Sequence, residues 1–211
     1  MIEHQRLFNK AAGEGPLAFT TALLTPERWP DFEQLFGKQG ACYGCWCTYW
    51  RREPSERKAS GGVQNRVFMK ERVEAGPPPG ILVYEGDGAV GWVQVGPRAD
   101  VSQWNRPTRV TAPLHDGPAD DPAVWAISCH FIRAKERGRG ISHVLLAAAI
   151  DHARNSGARL LEACPMDRAK QAKSVCLCVG STSVFDRAGF VEVARRKEGR
   201  PLMRLVLRAG E

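Results

Sequence analysis

Phe131-Ile132-Arg133-Ala134-Lys135-Glu136-Arg137-Gly138-Arg139-Gly140-Ile141-Ser142 is the stretch that decides how this chain is read. An apolar run, Val124 to Ile132, enters a glycine-rich loop, and Ile141 to Ser156 leaves it with small and apolar residues at helical spacing. The pattern predicts a strand that passes through the loop straight into a helix. The first turn of a helix carries unpaired N–H groups and the positive end of the helix dipole, and glycines let backbone amides approach an anion closely. Phosphate binding is the chemistry such a turn serves. Arg137 and Arg139 add charge-assisted donors beside it.

Two common phosphate loops do not fit. A dinucleotide fingerprint needs Gly or Ala at the third position of Gly-x-Gly-x-x-Gly, which here is His143, and it belongs on the first strand of a doubly wound sheet. A nucleotide P-loop ends in Gly-Lys-Ser/Thr, a tripeptide the chain lacks. A turn that only caps its helix remains the plain structural alternative.

Working outward, Leu17 to Leu24 reads as a first strand after a loose leader over residues 1–15. Thr25-Pro26-Glu27 predicts a helix start with Thr25 as N-cap, the helix running to about Phe36 before Gly37. A charged, turn-rich stretch spans Arg51 to Gly62. Val63, Val67, Phe68 and Val73 then predict a second helix, stopped by Gly76-Pro77-Pro78-Pro79-Gly80. Gly86-Asp87-Gly88 lies between two β-rich runs and predicts a hairpin. Residues 98–122 form a long polar connection, expected to be functional or mobile. Arg159 to Ala163 is a further strand, 165–179 an irregular insertion, Ser181 to Arg187 a short helix, and Phe190 to Ala194 with Leu202 to Leu207 a closing strand pair. This order predicts an α/β (α+β) domain with one mixed sheet over residues 16–211.

Composition agrees with one globular domain: 211 residues, 43% hydrophobic and 25% charged. The longest clean apolar run, Val144 to Ile150, is too short to cross a bilayer, and a cytoplasmic location without membrane association is expected. The net charge of +7 is uneven. Residues 1–130 hold 14 Lys/Arg against 15 Asp/Glu, whereas residues 131–211 hold 16 against 8. A basic half calls for an anionic partner. Its arginines gather around one loop and a distal stretch, Arg195 to Arg200, instead of a long face interleaved with aromatics, so nucleic acid is the least favoured partner. Seven cysteines without a signal peptide imply reduced thiols. Cys42, Cys45 and Cys47, with Cys176 and Cys178, could supply four thiolates to zinc, but their tight spacing among aromatics favours buried or pocket-facing thiols, and no metal is expected.

The run Arg137-Gly138-Arg139-Gly140-Ile141-Ser142 resembles the acyl-CoA loop of the GNAT acetyltransferase superfamily, whose pattern is Gln/Arg-x-x-Gly-x-Gly/Ala. Ser142 departs from it by a hydroxyl. Gly180-Ser181-Thr182-Ser183-Val184-Phe185-Asp186-Arg187-Ala188-Gly189-Phe190 is similar to the superfamily's last helix and Gly-Phe exit, and the order of elements resembles that fold from Leu17 to Leu207. The Trp/Cys-rich segment, Ala89 to Arg98 and Pro201 to Leu205 look like a bacterial subgroup of uncharacterised members.

The resemblance implies a centrally splayed sheet flanked by helices, acetyl-CoA as co-substrate, and a homodimer as the default assembly. It implies a cofactor site made by Phe131, Ile132, Arg133, Arg137, Gly138, Arg139, Gly140, Ile141, Ser142 and Phe185. A β-bulge is the usual device for such a splay, and an amide around Cys129 to Phe131 would steady the thioester oxygen. Catalysis implies direct attack by an amine of a small molecule or peptide, with Glu162 and His130 as candidate bases. Each has a structural alternative: an ion pair for Glu162, a hydrogen-bonded core imidazole for His130. Phe185 stands where the superfamily commonly has a tyrosine that protonates the departing thiolate, which leaves Ser183, Ser181 or water as substitutes. Trp46 and Trp92 are candidate walls of the acceptor pocket, against the alternative that they pack the core. A GNAT-like fold that binds acyl-CoA as a sensor without turnover is the competing reading.

Overall fold

The turn formers around Ile81 to Val95 produce the hairpin they predict: β2 (Gly80–Glu85) pairs antiparallel with β3 (Gly88–Pro97) across Gly86 and Asp87. In the computed structural model, which describes residues 19–59, 61–167 and 178–207, this hairpin lies in a seven-stranded sheet of order β1-β2-β3-β4-β5-β7-β6. The other strands are β1 (Phe19–Leu23), β4 (Val124–Ile132), β5 (Leu160–Ala163), β6 (Val191–Ala194) and β7 (Leu202–Val206). Only β4 and β5 run parallel, so the sheet is mixed. A parallel pair needs a crossover, supplied by α4 (Ile141–Asn155).

Alternation along the central strands gives the sheet two apolar faces. One carries Val83, Val93, Trp125, Ile127 and Leu161 against Ile141, Leu145 and Ala149 of α4 and Phe185 of α5 (Thr182–Arg187). Gly91 lets α4 come close: a Cβ there would lie 2.9 Å from Val83 Cγ1 and 3.2 Å from Ile141 Cγ2. The opposite face carries Leu82, Tyr84, Trp92 and Cys129 beneath α1 (Trp29–Phe36) and Met69 and Val73 of α3 (Gly61–Ala75). Farther along that face, Ala126 and Leu202 are covered by Trp50, Val101 and Trp104.

Several expectations change. Residues 26–28 form a 3-10 turn before α1, and no side-chain bond from Thr25 caps it. The charged stretch after Arg51 contains a short helix, α2 (Pro54–Ala59). Val63 and Val67 face solvent, because Met69 and Val73 form the stripe of α3 that meets the sheet. The long connection 98–122 is pinned, not loose. The fully buried Arg98 donates from Nε to Asn105 Oδ1 at 2.6 Å, from Nη2 to Thr111 O at 2.9 Å and from Nη1 to Gly117 O at 3.1 Å. The leader and most of the 165–179 insertion lie outside the described residues.

Candidate active site

The register of β4 changes at one residue. Gln94 of β3 opposes Cys129 and Val95 opposes Ile127, which leaves Ser128 as the extra residue of a β-bulge. On the other side, pairing with β5 ends at Ile127↔Ala163. Alone in β4, Ser128 has no register partner on either neighbouring strand. Beyond the bulge the chain meets β4 again where Cys178 O accepts from His130 N at 2.7 Å, and Met166 N donates to Gly180 O at 3.1 Å. Strands β4 and β5 therefore part at Ser128, and residues 178–181 return into the wedge.

β4 then runs into the glycine loop and α4. Gly138 and Gly140 hold φ of 84° and 80°, the left-handed region where a Cβ is costly, and apart from the adjoining chain no atom of the described residues lies within 4 Å of where a Cβ would sit. Gly140 is the N-cap of α4, and no side chain caps that end. The amides opening α4 thus face an uncrowded surface beside the wedge, the geometry of an anion cradle. The residues fit a diphosphate-bearing ligand on these grounds.

The arginines there divide. Arg139 forms ion pairs with Glu85 and Glu136, and its Nη1 lies 2.9 Å from Glu85 Oε2; the two carboxylates raise its pKa, and Arg139 in turn lowers that of Glu85. It ties the loop to β2. Arg137 is exposed and donates from Nε to Ile132 O at 3.2 Å, and Arg133 donates to Gln34 O at 3.1 Å on α1. Phe131 and Ile132 are half-buried in β4, Ile141 is buried, and Ser142 is half-buried in the first turn of α4.

The candidate acid–base groups do not gather. Glu162, fully buried, lies 2.8 Å from Arg98 Nη1 and 2.7 Å from Arg204 Nη2, and Arg204 Nη1 lies 2.7 Å from Asp116. Both of its oxygens face guanidinium groups inside the fold, which is the geometry of the ion-pair alternative. His130 is buried beside Phe185, with ring centroids 6.5 Å apart, and its Nε2 has no hydrogen-bond partner among the described residues. Burial pushes its pKa down to about 4, against partial support from main-chain contacts, so the imidazole is neutral at pH 7 and a weak base. Ser183 is exposed on α5 with its hydroxyl 2.8 Å from that of Ser181. Phe185 is fully buried, edge-on to Phe190 at 5.2 Å.

Trp46 and Trp92 are core residues, 4% and 0% exposed. Trp46 stacks on Phe36 and Trp29, and Phe32 meets Trp92 edge-on at 4.9 Å. Beneath them Cys47 Sγ and Cys129 Sγ are 2.8 Å apart, and Cys45 and Cys178 are near enough to act on Cys47 electrostatically. Burial raises the Cys47 pKa and pushes Cys45 up to about 11. Among the described residues no group of three or more His, Cys, Asp or Glu is arranged to hold a metal, and Cys176 lies outside them. No helix among them is long and apolar enough to cross a membrane. Ser128 is the residue that sequence reasoning missed. The strand and its bulge were expected, but a bulge's position depends on the register with β3, which no local pattern encodes.

Comparison with known proteins agrees with this architecture. Residues 29–175 match the family model of the acetyltransferase (GNAT) family. The Salmonella typhimurium protein yncA, determined with its cofactor acetyl-CoA, is similar with a TM-score of 0.54 and 15% identity, over 92% of this chain and 96% of that one. A GCN5-related N-acetyltransferase from Kribbella flavida gives 0.53 at 17% identity, over 90% and 99%. A ribosomal-protein-alanine N-acetyltransferase from Brucella melitensis gives 0.51 at 17%, over 89% and 99%. No curated protein matches the sequence.

Proposed function

The chain belongs to the acetyltransferase (GNAT) family, and on that premise we propose that it transfers an acetyl group from acetyl-CoA to a primary amine of a small molecule or peptide, by direct attack. The observation that carries this reading is the pair of left-handed, uncrowded glycines at the uncapped start of α4, next to the point where β4 and β5 part.

When bound, acetyl-CoA supplies an acyl group activated as a thioester. The amides from Gly138 to Ser142 hold its diphosphate, aided by the exposed guanidinium of Arg137, while Arg139 keeps the loop in place through Glu85. The bulge at Ser128 frees main-chain groups where the carbonyl oxygen gains charge. With Glu162 committed to Arg98 and Arg204 and His130 a weak base, the acceptor loses its proton to water. Phe185 has no proton to give, so the thiolate leaves unassisted, which a thiol pKa of about 8.5 permits.

The test is incubation with acetyl-CoA and a panel of primary amines, following CoA thiol release and product mass. Release matched by an acetylated amine supports the reading, whereas a cysteine-linked acetyl group that turns over would exclude direct attack. Phe185 favours a second reading, an acyl-CoA sensor: tight acetyl-CoA binding without CoA release on any amine would select it.

A further inference from the structure

Ser128 combines three properties found together nowhere else in β4. It is the bulge residue, it lies one step beyond the last β4–β5 pair, and its side chain is buried, at 3% exposure, with no hydrogen-bond partner for Oγ among the described residues. Buried hydroxyls normally find partners, so an orphaned one on the residue where two strands part points to a ligand group that completes it. His130, two residues on, has a second orphaned buried atom, Nε2, whereas its main-chain N–H is already taken by Cys178 O at 2.7 Å.

We propose that Ser128 is a catalytic residue whose hydroxyl donates to the thioester carbonyl oxygen, beside a main-chain amide of the same bulge. This rests on the acetyl-transfer reading above. The acceptor nitrogen's lone pair forms the N–C bond while the carbonyl π pair moves onto oxygen. Ser128 Oγ–H and the amide hold that charge. The pair then returns, the C–S bond breaks with its electrons on sulfur, and the ammonium proton passes to water. Ser128 keeps its proton throughout, so it needs no base beside it. A donor aimed at developing charge in a water-poor site is worth about 10²-fold or more in rate.

The test compares wild type with Ser128→Ala in three measurements: calorimetric affinity for acetyl-CoA, melting temperature, and the ¹³C resonance of bound [1-¹³C]acetyl-CoA. CoA release with hydroxylamine, small enough to reach the thioester, gives the rate. We expect unchanged affinity, an equal or higher melting temperature because an unpaired hydroxyl is removed, an upfield carbonyl shift, and a rate about 10²-fold lower. Unchanged resonance and rate in a variant that binds acetyl-CoA normally would overturn the role of Ser128 alone. A lower melting temperature with weaker binding would overturn it in favour of a structural hydroxyl. Failure of the wild type to bind acetyl-CoA would remove the acetyl-transfer reading and this role with it.

Discussion

Glu162 is fully buried between two guanidinium partners, and this fixes what its removal does. Arg98 is fully buried, and Glu162→Ala leaves it with neutral acceptors only, while Arg204 keeps Asp116 as its one carboxylate partner among the described residues. The expected loss is about 3–5 kcal/mol in urea unfolding, whereas a catalytic base would lose rate with its fold intact. His130 gives a pH signature instead. Its folded-state pKa, near 4, lies below the ordinary 6.5. Between those values the unfolded chain binds the proton and the folded chain does not, so this group's stabilisation is complete above pH 6.5 and is lost as pH falls toward 4. Between pH 6.5 and 5 the loss is about 1.6 kcal/mol. His130→Gln should flatten that slope in urea midpoints measured at both pH values, and an unchanged slope would place the titration elsewhere.

At the scale of elements, the glycine loop is tethered at its second arginine and open at its first. Arg139→Gln is expected to lower the melting temperature modestly and Glu85→Gln to reproduce it, because each breaks the same tie between loop and β2. Arg137→Gln is expected to leave the melting temperature alone and weaken CoA binding, more so at low salt. Equal effects of the two substitutions on CoA affinity would contradict this division. The loop was legible in sequence because glycine conformation, helix start and charge are local properties, and so was the hairpin at Gly86-Asp87-Gly88. The inward face of α3 was not: Val63 and Val67 have helical spacing, but the position of the sheet selects Met69 and Val73. The pocket role suggested for Trp46 and Trp92 fared similarly. Aromatic content shows that large side chains must be buried somewhere, and only tertiary packing makes them core.

For the whole molecule, the uneven charge along the sequence finds an internal use. Arg139 with Glu85, Arg159 with Asp121 and Arg204 with Asp116 each join the basic C-terminal part to the near-neutral N-terminal part, and Arg98 reaches Glu162 in the reverse direction. Part of the surplus thus stitches the chain together across β4 and β5, and Arg137 stays exposed on the loop, as the proposed phosphate contact requires. The same two strands set the order of the candidate site: pairing holds up to Ile127, the bulge follows, then the loop, then α4. Titration calorimetry of CoA into wild type and Gly140→Val, with melting temperatures as a check on folding, tests this arrangement most directly. Clear binding by the wild type and at least tenfold weaker binding by the variant are expected, since a β-branched residue at φ 80° would force the α4 entrance out of shape. No heat with the wild type, or equal affinity in both proteins, would contradict it.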